Sequence, residues 1–233
     1  MPETNLITLL GIGFVLGLRH ALDADHLAAV STVLAERPSF RASGLVGLWW
    51  GIGHTLTLMA VGVVVLISGV QVPESLALLA ECGVGALLVG LGTTLAVKLY
   101  RERWHLHRHQ HDGEAHVHLH SHRRHEDHVH GHWTTHSLRP LLIGMAHGVA
   151  GSAALLLVIV ANVRGLGQGL LYIGVFGAGS IVGMMAIGAT LSLPMMWSLA
   201  AGRRAFLAVQ SAASLGSVAL GLWMLYTLVL ASP

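Results

Sequence analysis

Charge is scarce in this chain. Of its 233 residues only 10% are Asp, Glu, Lys or Arg, while 54% are hydrophobic. Soluble domains carry roughly 25% charged residues, so an ordinary water-soluble fold is excluded. A mean hydropathy of +0.68 agrees. Cysteine is nearly absent too. Cys82 stands alone, which rules out an intramolecular disulfide and any cysteine-built zinc site; within an apolar stretch it reads as a small buried hydrophobe. The opening Met1-Pro2-Glu3-Thr4-Asn5 lacks the basic segment of a signal peptide, so the apolar run behind it is expected to remain as a first span. The long apolar runs lack the polar–apolar alternation of a membrane strand, which excludes a β-barrel. No Gly-x4-Gly-Lys-Ser/Thr loop occurs, so any ATP dependence requires another subunit, and no His-Glu-x-x-His pair marks a metalloprotease.

What the chain does have is long apolar segments. A helix crosses the hydrocarbon core with about 20 predominantly apolar residues. Six stretches qualify, at 6–34, 43–67, 76–99, 141–163, 170–196 and 206–230. Polar, turn-forming residues separate them: Glu36-Arg37-Pro38, Gln71-Val72-Pro73-Glu74, Arg164-Gly165 and Gly202-Arg203-Arg204. The formal net charge of +2 matters less than where the charges lie. The first, third and fifth connections hold eleven of the thirteen Lys and Arg residues (Arg37, Arg41; Lys98, Arg101, Arg103, Arg108, Arg123, Arg124, Arg139; Arg203, Arg204), and the opposite side holds only Arg164. The positive-inside rule therefore places both termini outside and the long middle loop in the cytoplasm.

The two halves resemble each other. Gly17-Leu18-Arg19-His20-Ala21-Leu22-Asp23-Ala24 aligns with Gly144-Met145-Ala146-His147-Gly148-Val149-Ala150-Gly151. Trp50-Gly51-Ile52-Gly53-His54 aligns with Phe176-Gly177-Ala178-Gly179-Ser180, and Met59-Ala60 with Met185-Ala186. In the third span of each half, Gly85 and Gly90-Leu91 answer Gly216 and Gly221-Leu222. With three spans per repeat the second copy inserts upside down, an arrangement recurrent in transporters whose substrate site lies near the midplane. The expected fold is thus an all-α integral membrane protein: six transmembrane helices in two inverted three-helix repeats, 1–100 and 140–233, joined by a histidine-rich cytoplasmic loop at 101–139 that is expected to be disordered.

Ionisable groups inside a span cost about 2.5–3.5 kcal/mol each on insertion scales and usually line a functional interior. The first span holds Arg19, His20, Asp23, Asp25 and His26. Ending that span before Arg19 leaves only thirteen apolar residues, 6–18, which is too few to cross. Imidazole nitrogen and carboxylate oxygen suit borderline divalent metals such as nickel, cobalt, zinc and copper. On a regular helix His20, Asp23 and His26 share one face, whereas Asp25 points nearly the opposite way. Either the helix is distorted there, or Asp25 serves a ligand or an ion pair, with Arg19 a candidate partner. His54, after Gly51-Ile52-Gly53 and beside Thr55, stands where small residues let a second helix approach. His147 and Ser180, the repeat mates of His20 and His54, complete a pseudo-symmetric set of pathway candidates.

The loop holds thirteen of the seventeen histidines: His105, His107, His109, His111, His116, His118, His120, His122, His125, His128, His130, His132 and His136. Such a tract builds no core and reads as low-affinity capture of cytosolic metal.

Arg19-His20-Ala21-Leu22-Asp23-Ala24-Asp25-His26-Leu27 resembles the signature of the nickel/cobalt transporter family, and Gly53-His54-Thr55, with Trp50 in the aromatic place, resembles its second motif. Acidic residues of the later motifs in long permeases are missing here. Gly144-Met145, His147 and Gly151-Ser152-Ala153-Ala154 are more similar to the short UreH-like branch associated with nickel supply to urease. The resemblance implies transport of Ni2+ or Co2+, with His20, Asp23, Asp25, His26 and His54 as the functional positions. The expectation is accordingly a secondary transporter of the cell membrane, without a resident cofactor, working on a divalent transition-metal ion within the lipid bilayer. Import is favoured, with a metallochaperone or urease-maturation protein as a potential partner and no role for nucleic acid. Efflux, an intramembrane zinc hydrolase, and a metal-sensing or storage protein are the competing readings.

Overall fold

The computed structural model of the chain describes residues 6–35, 39–70, 72–101, 105–111, 114–120, 138–151 and 165–231. Its helices are α1 (Leu6–His20), α2 (Ala24–Leu34), α3 (Phe40–Ser68), α4 (Glu74–Arg101), α5 (138–151), α6 (Leu166–Ala201) and α7 (Arg203–Ala231). Four of them, α3, α4, α6 and α7, are long and apolar enough to cross a membrane, and α1 with α2 makes a fifth if that bent pair is one span. The expected span at 141–163 begins in α5 and continues outside the described residues. Large apolar side chains such as Val15, Val64, Leu79, Trp197 and Tyr226 point outward, as a surface solvated by lipid permits.

The first span is not the continuous helix that a face-by-face reading assumes. At the end of α1 the hydrogen bonds tighten: Leu22 N–H donates to the Arg19 carbonyl (2.9 Å) and Asp23 N–H to that of His20 (3.1 Å). Asp23 then turns extended (φ −62°, ψ 145°) and becomes the N-cap of α2, whose first bond runs from Leu27 N–H to the Asp23 carbonyl at 3.1 Å. The two axes differ by 53°. A bend with neither Pro nor Gly is held by the packing around it. Ala21 is buried, wedged against Gly183 of α6.

Close helix approaches dominate the packing. Gly17 of α1 lies against the Phe176 carbonyl of α6, and Gly144 of α5 against the Trp50 carbonyl of α3. At both places even one methyl group would collide with backbone, which is why only glycine fits. Gly13 meets Tyr172, Gly17 meets Phe176, and Leu18 meets Gly183, so α1 and α6 run in the same direction. Gly47 meets Met184, Gly51 meets Ile181, and Thr55 meets Gly177, so α3 and α6 run oppositely. Helices α4 and α7 pair antiparallel as well, tied by Ser214 Oγ to the Gly92 carbonyl (2.8 Å) and Ser217 Oγ to that of Leu88 (2.9 Å).

In the third span the glycine match of the two halves does not hold. Gly85 and Gly221 pack against each other across α4 and α7, while Gly90 and Gly216 face open space. The contact face repeats every three or four residues, and the aligned glycines fall on different sides of it.

Strands β1 (His105–His111) and β2 (Glu114–His120) pair antiparallel within the histidine tract. Where the sequence leads one to expect no regular structure, the period-two alternation of His with Leu, Arg and Gln takes the period of a strand. His122, His125, His128, His130, His132 and His136 lie outside the described residues.

Candidate metal centre

Four histidines lie outside the loop, and all four converge. His20 ends α1, His26 lies in the first turn and a half of α2, His54 sits mid-way along α3, and His147 is on α5. Ring centroids of His20 lie 4.8 Å from those of His26 and 4.9 Å from those of His54; His26 lies 5.5 Å from His54 and 5.2 Å from His147. His26, His54 and His147 are buried, and His20 is half-buried. One ring nitrogen from each of His20, His26 and His54 can be chosen so that all lie within 4.8 Å of one another.

The bend makes this convergence possible. It brings His20, at the end of one helix, beside His26, near the start of the next, and leaves both pointing at His54. His20 Nδ1 donates to Asp23 Oδ2 at 2.8 Å, so the Asp23 side chain holds an imidazole instead of capping α2. That bond fixes the tautomer and leaves the His20 Nε2 lone pair facing inward. His20 Nε2 and His54 Nε2 are 3.1 Å apart, and without an ion one must donate to the other. With the His20 proton on Nδ1, the donor is His54 Nε2. Two imidazole nitrogens bound to one metal at roughly 2.0–2.1 Å lie about 2.8–3.4 Å apart for angles between octahedral and tetrahedral. The observed spacing already suits a shared ion, provided His54 moves its proton to Nδ1, which has no partner among the described residues.

Asp25 no longer stands apart. It follows the bend in the first turn of α2, next to His26, and its carboxylate lies 3.3 Å from His26 Nδ1. The contact is not a hydrogen bond by angle, and both nitrogens of His26 remain buried without one among the described residues. Asp23, Asp25 and His26 form a second set of donor atoms within 4.8 Å, overlapping the first at His26. Arg19 is exposed and forms no ion pair with Asp25; the acid's neighbour is His26.

The remaining expected residues divide. His147 joins the imidazoles. Thr55 and Ser180 instead tie helices together: Thr55 Oγ1 donates to the Gly51 carbonyl at 2.8 Å and approaches that of Gly177 at 3.4 Å, and Ser180 Oγ donates to the Gly17 carbonyl at 3.3 Å. Residues that sequence reasoning gave no role in the site also line it. Trp50, fully buried, packs on His147 at 5.0 Å, Phe176 packs on His20 at 5.6 Å, and Gly151 leaves room beside His20 and His54. In sequence these were a motif aromatic and two members of a repeat; only tertiary contact shows what they touch.

A family model described as "High-affinity nickel-transport protein" (NicO) matches residues 6–215. The urease accessory protein UreH of Bacillus sp. (strain TB-90) is 33% identical over 201 residues, which is 85% of this chain and 82% of the relative. A high-affinity nickel transport protein of Cupriavidus necator (strain ATCC 17699 / DSM 428 / KCTC 22496 / NCIMB 10442 / H16 / Stanier 337) is 34% identical over 73 residues, 31% of this chain and 21% of the relative. No solved structure matches the chain.

Proposed function

The chain belongs to the high-affinity nickel-transport protein family, and on that footing we propose that it is a secondary transporter carrying Ni2+ across the cell membrane through the imidazole cluster at the bend of its first span. The observation that carries the reading is the meeting of His20, His26 and His54, from separate helices, in a chain with only 10% charged residues. Soft-to-borderline nitrogen donors select transition metals over Mg2+ and Ca2+. In this reading the three imidazoles bind the ion, while Asp23 and Asp25 orient His20 and His26 and offset the ion's charge. Nickel is cargo, with Co2+ as a second cargo of similar chemistry, and no resident cofactor is needed. The family is one of transport, so the hydrolase reading is set aside.

Six spans in two inverted halves are the architecture that fits this role. Supporting it are the paired approaches Gly17–Phe176 and Gly144–Trp50, which join each half's first span to the other's second. Both termini then lie outside and the loop in the cytoplasm, where its histidines collect the ion. Import is the favoured direction, supported by the relative named a urease accessory protein, and delivery to a metallochaperone or urease-maturation partner follows from it. Radiolabelled nickel flux into proteoliposomes tests the function: wild-type protein moves nickel and His26→Ala does not. Unchanged flux in His26→Ala refutes the site. Uptake compared with release in intact cells decides the direction.

A further inference from the structure

His147 and His20 occupy aligned positions in the two halves, and their surroundings match in more than sequence. His20 Nδ1 donates to Asp23 Oδ2 (2.8 Å), and His147 Nδ1 lies 3.1 Å from the Ile143 carbonyl. A carbonyl oxygen only accepts, so His147 must carry its proton on Nδ1. Its Nε2 is then a bare lone pair, buried and, among the described residues, without a donor. Each ring also rests on an aromatic of the other half: His20 on Phe176 at 5.6 Å and His147 on Trp50 at 5.0 Å. Phe176 and Trp50 are themselves aligned.

Between the two lies His26, 4.8 Å from His20 and 5.2 Å from His147, with neither of its nitrogens hydrogen-bonded among the described residues. The second half, 140–233, contains no Asp or Glu and, beyond the loop, a single histidine. His147 is therefore the one imidazole that half can offer an ion. A buried lone pair with no donor is costly to maintain unless something fills it part of the time.

We propose that His147 is a ligand of the transported ion and takes it over from His20, with His26 bound throughout. The proposal rests on the transport reading above and adds the step that moves the ion. One metal–nitrogen bond, to His20 Nε2, breaks as another, to His147 Nε2, forms. Neither ring changes protonation, because both hold their proton on Nδ1. The two stations share His26, so one ion occupies them in turn. They are unequal: a carboxylate supports His20 and a neutral carbonyl supports His147, which makes the His20 station the tighter.

The test uses the full chain in lipid nanodiscs and proteoliposomes, with nickel alone as probe. Binding to the loop is subtracted with a matched chain carrying His20→Ala, His26→Ala and His54→Ala. In His147→Asn the amide nitrogen can still donate to the Ile143 carbonyl, but no lone pair reaches the Nε2 position. Expected is nickel binding within about twofold of wild type together with a flux lowered about tenfold or more. Such a split is not what a damaged fold produces, since misfolding lowers both. Flux equal to wild type in His147→Asn overturns the proposal, because His147 then serves only to bond Ile143. Loss of binding along with flux also overturns it, because His147 would then belong to the first station. As a second variant, His147→Ala should split binding from flux in the same way; if it does not, the hand-over falls. Wild-type protein that binds nickel and moves none refutes the transport reading instead.

Discussion

Replacing Asp23 by Asn isolates one interaction in the centre. The amide keeps the shape of the carboxylate and can still accept from His20 Nδ1, now 2.8 Å from Asp23 Oδ2, but it carries no charge. Charge-assisted hydrogen bonds are about twice as strong as neutral ones, so His20 becomes a poorer donor to metal. Loss of such an outer partner typically lowers metal affinity roughly 10- to 100-fold. The Asp23 side chain is 52% exposed, and solvent screening places Asp23→Asn at the low end, about tenfold or about 1.4 kcal/mol. Asp23→Ala also frees the ring to rotate, and its loss should approach about 100-fold. Nickel binding to purified full-length protein, corrected for the loop with the triple histidine variant, measures both. An Asn variant that binds within about twofold of wild type, or an Ala variant no worse than the Asn one, refutes the orienting role of Asp23. So does a fall beyond about 1000-fold in Asp23→Asn, which would make the carboxylate a direct ligand instead.

Two further substitutions probe the frame around the histidines. Gly17→Val drives a side chain into the Phe176 carbonyl, and overpacking of that kind costs about 1–3 kcal/mol; a lower melting temperature and weaker nickel binding in nanodiscs are expected, and an unchanged melt would contradict the close approach. Gly151→Ala is gentler. Its Cβ would lie 3.3 Å from His20 Cε1 and 3.4 Å from Nε2, so it should lower nickel affinity roughly three- to tenfold, less than one kcal/mol to about 1.4 kcal/mol, while leaving the melt in place. Equal binding in wild type and Gly151→Ala would show that α5 does not bound the site.

The apolar helices and the polar cluster were legible in the sequence for one reason: in a membrane, polarity is expensive, so His20, Asp23, Asp25 and His26 stand out against their apolar run. Gly51 and Gly53 advertised close helix contact for the same kind of reason, since a small residue among large ones is a shape that something must use. The bend was hidden. Ala21-Leu22-Asp23 contains no helix breaker, and the turn there depends on packing against α6, so a helical wheel assigned Asp25 to the wrong side. His147 was visible as a repeat mate, but its tautomer depends on the Ile143 carbonyl and its relevance on the distance to His26. Both are tertiary facts. Arg19 misled as an ion-pair partner because sequence proximity to an acid says little once the chain turns between them.

The bend has an electrostatic consequence. It brings the carbonyl end of α1 and the amide end of α2 to nearly the same point, and the partial charges of the two helix termini are opposite in sign and similar in size, about half a charge each. The backbone there is close to neutral toward a visiting ion, neither attracting a cation nor repelling it. In the proposed transport role, preference for positive charge is left to Asp23 and Asp25, and preference among cations to the imidazoles. Stripped of its two acids, the same bend would offer a cation only its imidazoles.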